Sequence, residues 1–324
     1  MFTVAKQLQM PRLDNGLSEI LKLYQPPTSS QPASPAWLRD FSSGVVPIPC
    51  HSHNDYLHRV PLYEGLASGC ISTEADIWIG NSTSGQRDLF VGHKSQALTQ
   101  TRTLRSLYLD PLAEILKKQN EILSKNLTNS KQNQSSNITT GVFSTAPDTS
   151  LILLLDFKTA DDATWETVMS QLEDFRLNGW LTHWTSTTSI VQRPLTIVAS
   201  GKAPFSSVIA NTTYRDVFFD APLKDLVGGP YNSNNSYYAS SSLKSAIGKV
   251  KLGSISHEQE MKIREQTEGA EGLGLKSRYW DVPSWPPTWR NHIWRVLVEI
   301  SGVGGVLNVD DLVTAAELYW EREN

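Results

Sequence analysis

Residues Leu151–Thr159 read LILLLDFKT: five apolar residues in a row, then Asp156, then Lys158 two positions later. A run of that length without polar alternation is what a parallel strand covered on both faces needs. Because side chains alternate across a strand, Asp156 and Lys158 fall on one side at its C-terminal end. The fold class turns on whether the flanking sequence repeats this strand with helices between.

It does so in both directions. Downstream, Ala163 to Asn178 has helical amphipathic spacing and PLTIVAS (Pro194 to Ser200) predicts the next strand. Asp216 to Phe219, Tyr237 to Ser241, Lys276 to Trp280 and Gly305 to Val309 predict four more. Helices are expected over Glu258 to Gly272, Trp289 to Ile300 and Asp310 to Glu321. Upstream, Val45 to Cys50 and Ile71 to Ile79 predict two strands, with a helix from Pro61 to Ser68 that Gly69 ends. Leu89 to Gly92 reads as a short extended piece, and Leu104 to Leu123 as a helix.

Eight alternations of strand and helix predict a single (β/α)8 barrel over 45–324. A polar, low-complexity insert at 124–149 falls before the third strand and is expected to form a loop that buries no core. Without it, Val45 to Glu321 leaves about 250 residues, the usual length of such a barrel. An open doubly wound sheet is the competing architecture, but no glycine-rich dinucleotide loop follows the first strand. Residues 1–44 hold Pro11, Pro26, Pro27, Pro32 and Pro35 and read as an N-terminal arm, helical at most over Leu17 to Tyr24.

Composition narrows the function classes. The 324-residue chain is 39% hydrophobic and 19% charged, ordinary for a globular protein, and its net charge of −4 gives no case for nucleic acid. No run of ~18 apolar residues is present, so no transmembrane segment is expected, and the N-terminus lacks the apolar stretch of a secretory signal. Cys50 is read as ending one strand and Cys70 as beginning the next parallel one, which places them at opposite ends and predicts no disulfide. Six N-x-S/T sequons begin at Asn81, Asn126, Asn133, Asn137, Asn211 and Asn234. They matter only in a secretory compartment, so localisation stays open between cytoplasmic and, if the N-terminus is truncated and the sequons are used, secretory or extracellular.

The residues with chemical purpose concentrate in Cys50–Lys94, CHSHNDYLHRVPLYEGLASGCISTEADIWIGNSTSGQRDLFVGHK. His51, His53 and Asn54 follow the first strand, Glu74 and Asp76 share a face of the second, and His93 closes the stretch. With Asp156 and Lys158, all lie at C-terminal strand ends, where such barrels carry their sites. Oxygen donors from Asn54, Glu74, Asp76 and Asp156 suit one hard divalent cation, Mg²⁺ or Ca²⁺. Histidines beside such a cation suit attack at phosphorus, one removing a proton and another donating one. Lys158, Lys202 and Arg278 are candidate phosphate contacts. Trp280, Trp285 and Trp289 could rim the mouth toward a lipid, although such residues more often pack. His58, His183, His257 and His292 read as ordinary surface histidines, and His51 as either a third catalytic histidine or a supporting one.

SHNDYL (Ser52 to Leu57), GCISTEADIW (Gly69 to Trp78) and VGHK (Val91 to Lys94) resemble segments of phosphatidylinositol-specific phospholipase C. LLLDFKT (Leu153 to Thr159) is similar to the third-strand motif of glycerophosphodiester phosphodiesterases and sphingomyelinase D-like enzymes. Together they mark the PLC-like phosphodiesterase superfamily, nearest its fungal "altered inheritance of mitochondria" branch. The resemblance implies His53 and His93 as the catalytic pair, Asn54, Glu74, Asp76 and Asp156 as metal ligands, and Lys158 on phosphate. It further implies a phosphoric diester hydrolase of lipid metabolism, acting on a phospholipid or glycerophosphodiester, with peripheral membrane contact. The alternatives are cleavage that leaves a cyclic phosphate, or a non-catalytic barrel that binds phospholipid or a partner.

Overall fold

The computed structural model describes residues 44–129, 139–251 and 254–318. The N-terminal arm up to residue 43, residues 130–138 of the insert and the last residues of the expected closing helix lie outside the described residues. Eight parallel strands close into a barrel: β1 (Ile48–Ser52), β2 (Cys70–Asn81), β3 (Leu151–Phe157), β4 (Leu195–Gly201), β5 (Val217–Pro222), β6 (Ser236–Ser242), β7 (Lys276–Trp280) and β8 (Gly305–Val309). Pairing of β1 with both β2 and β8 completes the circle, so no barrel strand is left with an open edge. The (β/α)8 architecture read from the sequence is the one observed.

Strand β3 shows why the sequence folds this way. Leu151, Leu153, Leu155 and Phe157 pack outward against the helical layer that includes Leu112, Leu116 and Val168. Ile152 and Leu154 point inward and join Val198, Tyr238 and Val306 in the barrel interior. Each large apolar side chain so buried is worth roughly 1.5–3 kcal/mol, which is why both faces of the run are apolar. One layer above, toward the C-terminal strand ends, the interior turns polar. Asp76 pairs in register with Asp156, and Asp156 with Ser200, so neighbouring strands present polar groups at one height.

Several elements differ from expectation. Strand β2 runs on past the barrel and folds back through Arg87–Val91, which pairs with it antiparallel. The helix expected from Leu104 begins as a π-helical turn, Arg105–Leu109, and continues as Asp110–Asn129 into the polar insert. Further into that insert Val142 and Phe143 are buried, so this part of it does contribute to the core. The helix after β3 breaks into Asp162–Gln171 and Glu173–Leu177 at Leu172. A three-stranded sheet of His183–Thr185, Ser189–Val191 and Tyr214–Arg215 was not foreseen, because strands so short carry little periodicity.

The largest correction concerns the cysteines. Cys50 and Cys70 form a disulfide, with Cα atoms 4.7 Å apart. Cys50 is the middle residue of β1 and not its end, and Ile48 is the residue that pairs with Cys70. A bulge follows, so that His51 pairs with Ser72 and both cysteines come together on the outer face. Among the described residues, no helix is long and apolar enough to cross a membrane.

Candidate active site at the barrel mouth

The site is built from the inner faces of β1, β2 and β3 and the loops that leave them. Glu74, Asp76 and Asp156 each turn a carboxylate oxygen to within 4.8 Å of the others, and they are the one such cluster of potential metal ligands among the described residues. Lys158 bridges two of them, its Nζ lying 2.8 Å from Asp76 Oδ2 and 2.5 Å from Asp156 Oδ2. Those carboxylates hold Lys158 above its ordinary pKa against the opposing effect of burial. Burial, and then the charge of Glu74, hold Asp76 above the usual carboxylate range.

Asp76 Oδ1 is buried and has no hydrogen-bond partner. An oxygen so placed is costly unless something binds it. Oxygen-rich, without sulfur, and with one buried donor atom still to be satisfied, the set fits a hard divalent cation. Asp156 is seated closely: a Cβ on Gly201, whose φ is +66°, would lie 1.8 Å from Asp156 Oδ1. Glycine is thus required there both for the left-handed backbone and for the carboxylate's place.

His51 is fully buried, and its hydrogen bonds specify its tautomer. The Tyr238 hydroxyl donates to Ser72 Oγ at 2.9 Å, leaving the Ser72 hydrogen to point at His51 Nδ1, 2.7 Å away. Nδ1 then accepts, and Nε2 donates to Glu74 Oε2 at 3.3 Å. Burial, with the Arg278 guanidinium nearby, pushes His51 down to about 4, so it is a neutral N–H donor near pH 7. Burial alone would raise Glu74, but the His51 hydrogen bond and the charges of His53 and Arg278 hold it well below the usual range. Glu74 also accepts the Asn54 backbone N–H, offered by a left-handed residue at φ 49° and ψ 39°.

His53 lies nearer the solvent. Its Nδ1 is 2.7 Å from Asp310 Oδ1, and its Nε2 is 3.8 Å from Glu74 Oε2. Burial lowers its pKa, but the Asp310 hydrogen bond and the Glu74 charge outweigh that and raise it. Across the carboxylates, His93 Nδ1 is 3.3 Å from Asp76 Oδ2 on a mostly exposed ring. The return strand holds it there, with the Gly92 N–H donating to Asp76 O at 3.1 Å and Trp78 Nε1 donating to Gly92 O at 2.7 Å.

Tyr56 ties these parts together. Its hydroxyl lies 2.5 Å from Asn54 Oδ1, 2.8 Å from Asp76 Oδ2 and 3.3 Å from His93 Nδ1. Burial and then the Asp76 charge hold the phenol well above its usual pKa, so one hydroxyl proton is shared between two acceptors. Beneath, Asp55 accepts from Ser52 Oγ, the Leu62 N–H and the Tyr108 hydroxyl, which anchors the loop carrying His53 and Asn54.

The mouth therefore gathers His51, His53, Asn54, Glu74, Asp76, His93, Asp156 and Lys158. The other two candidates are placed differently. Lys202 is exposed just beyond β4, its backbone N–H bonded to Phe157 O. Arg278 is buried within the barrel, its guanidinium donating to Asp220, Asn308 and Ser240. Trp280 and Trp285 are exposed, whereas Trp289 packs partly buried against the core. Tyr56, Asp310 and Gly201 went unnoticed in the sequence. Asp310 had the same signal as Asp156, an acid at the end of an apolar strand, but it reads as the first residue of the closing helix, whose cap is in fact Asp311.

A sequence profile described as "AIM6-like phosphodiesterase domain" matches residues 39–220, the part that carries every proposed metal ligand and both outer histidines. A protein of Arthroderma benhamiae, "Altered inheritance of mitochondria protein 6 homolog", is 39% identical over 87% of this chain and 86% of its own length. "Altered inheritance of mitochondria protein 6" of Saccharomyces cerevisiae (strain RM11-1a) is 34% identical over 85% of this chain and 71% of its own. Its counterpart in Lachancea thermotolerans is 33% identical over 85% and 66% respectively. No solved structure matches the chain. Matched over more than half its length by the profile and over most of it by these relatives, the chain belongs to the AIM6-like phosphodiesterase family.

Proposed function

We propose that this chain is a divalent-metal-dependent phosphoric diester hydrolase acting on a phospholipid or a glycerophosphodiester. The observation that carries this reading is the oxygen cluster of Glu74, Asp76 and Asp156, with His53 on one side and His93 on the other. Asn54 joins the cluster through its side-chain oxygen, which Tyr56 orients. A Mg²⁺ or Ca²⁺ held there supplies charge neutralisation at the phosphate.

The chain's own groups do the rest. His53 Nε2 takes the proton from the attacking hydroxyl, and Asp310 at Nδ1 steadies the imidazolium that forms. His93, exposed at the opposite side, gives a proton to the departing oxygen. His51 acts through Glu74, whose ionised form it orients from below. Lys158 and Lys202 bring positive charge to the phosphate oxygens, while Arg278 supports the site electrostatically from within the barrel. Trp280, exposed at the end of β7, and Trp285, exposed beyond it, favour contact with a lipid surface.

The test is hydrolysis of an aryl phosphodiester by the purified chain with Mg²⁺ or Ca²⁺, alongside His53→Ala and Glu74→Ala. Both variants are expected to lose turnover, and calorimetry should show cation uptake lost only in the second. Full turnover by either would sink the mechanism. Phosphorus NMR of the products from lipid and glycerophosphodiester substrates then separates an open diester cleavage from one that leaves a cyclic phosphate.

A further inference from the structure

The Cys50–Cys70 disulfide and the exposed sequons bear on one question that the site does not address. Both cysteines are buried on the outer face of the barrel wall, directly behind His51, and neither belongs to a metal-ligand cluster among the described residues. Buried disulfides of this kind persist where the surroundings are oxidising and are rare where thiols are kept reduced. In the sequons whose asparagine side chain is described, Asn81, Asn211 and Asn234 are all exposed.

Asn211 is the best presented. Its Oδ1 accepts from the Thr213 N–H at 2.9 Å, the Thr213 hydroxyl at 3.0 Å and the Tyr214 N–H at 3.0 Å. With the oxygen turned into the loop, Nδ2 is left facing outward, and a group attached to it would break none of these bonds. The loop lies between the helix Phe205–Ile209 and the start of β5, at the end of the barrel opposite the mouth. Asn234 precedes β6 at that same end, and Asn81 lies at the far tip of β2. A bulky polar substituent on Asn211 or Asn234 is carried at the end away from the mouth and leaves access to Glu74 and His53 open.

We propose that this chain matures in an oxidising lumen, with Cys50 and Cys70 joined and an N-linked glycan on Asn211, and with Asn81 and Asn234 as further acceptors. The transfer forms a bond between Asn211 Nδ2 and the anomeric carbon of an oligosaccharide carried on a lipid pyrophosphate. The bond from that carbon to the pyrophosphate oxygen breaks, the lipid pyrophosphate leaves, and one amide hydrogen departs as a proton. The two thiols give two electrons and two protons to a disulfide-bearing lumenal oxidant, which becomes a dithiol. Neither step depends on the proposed catalysis.

The experiment takes the full chain from the cells that make it, denatures it without reductant, alkylates it and maps the peptides. Cys50 and Cys70 should resist alkylation until a reductant is added. Treatment with a peptide N-glycosidase should sharpen and speed the band on a gel and convert Asn211 to Asp. Thr213→Ala should remove that glycan and Thr213→Ser should keep it, although Asn211 itself is untouched in both. Because the peptides are mapped after denaturation, the readout does not require the variants to fold. Recovery of Asn211 wholly unmodified, or direct alkylation of both cysteines, overturns the proposal.

Discussion

Replacing Gly201 by alanine isolates the placement of Asp156 from everything else in the site. Two costs arise together: a left-handed backbone at φ +66°, and a Cβ that would sit 1.8 Å from Asp156 Oδ1 and 2.9 Å from Phe157 O. The first is worth about 1–2 kcal/mol for a residue with a Cβ. The second cannot be relieved on the backbone side, because Phe157 O is fixed by strand β3, so the carboxylate has to move. Reaching ordinary contact requires a shift of more than about 1 Å, against the roughly 0.5 Å that a working constellation tolerates.

A misplacement of that size costs about 100-fold in rate, or about 2.7 kcal/mol of transition-state stabilisation. Gly179 supplies the control, with φ +67° and nothing within 4 Å of its Cβ position. Gly179→Ala therefore carries the backbone cost alone. Both variants should lose a few degrees of Tm, roughly 2–4 °C per kcal/mol. Only Gly201→Ala should lose about 100-fold in metal-supported hydrolysis of an aryl phosphodiester, with weaker cation uptake by calorimetry. If Gly201→Ala stays within a few-fold of the parent, or Gly179→Ala falls equally, the carboxylate argument is wrong.

Tyr56→Phe keeps the buried ring and deletes the hydroxyl shared by Asn54 and Asp76. It should lose roughly 10- to 100-fold in activity while the unfolding free energy changes by only about 1 kcal/mol, measured in urea. Asp310→Asn removes the carboxylate that raises His53. A general base works when deprotonated, so the acid limb of the pH–rate profile should move to lower pH as the maximum falls by about 10²-fold. Limb displacement upward would contradict the Asp310–His53 assignment. Cys50→Ala with Cys70→Ala removes a cross-link of sequence separation 20 and should lower stability by about 3 kcal/mol. An unchanged denaturation midpoint under oxidising conditions would count against it.

Much of the barrel was legible because buried parallel strands leave an unmistakable apolar run, as in Leu151–Leu155, and because β7 and β8 are bounded by residues that break structure. Period-two alternation also put Glu74, Asp76, Asp156 and Lys158 on one side. Period alone does not report depth, however. Arg278 shares the inner parity but lies where Asp220, Asn308 and Ser240 consume its donors. Nor does it report stagger between strands, and the β1–β2 bulge is what brings Cys50 to Cys70. Tyr56 was hidden for another reason: its ring is core and only its hydroxyl belongs to the site, a division that a one-letter sequence does not show.

The hydrogen bond from His53 to Asp310 joins residues 257 positions apart, across the seam where β8 meets β1. During synthesis this orders events in time. The three carboxylates are all present once β3 has emerged, whereas the partner of His53 follows only with the last barrel strand. At ~5–20 residues per second, roughly eight to thirty seconds separate the two. Through that interval the nascent chain carries an acidic cluster that can attract a cation, beside a histidine that still lacks its carboxylate partner at Nδ1. On the proposed mechanism, competence is withheld until the circle of strands is shut, and recovery of activity would serve as a clock for closure.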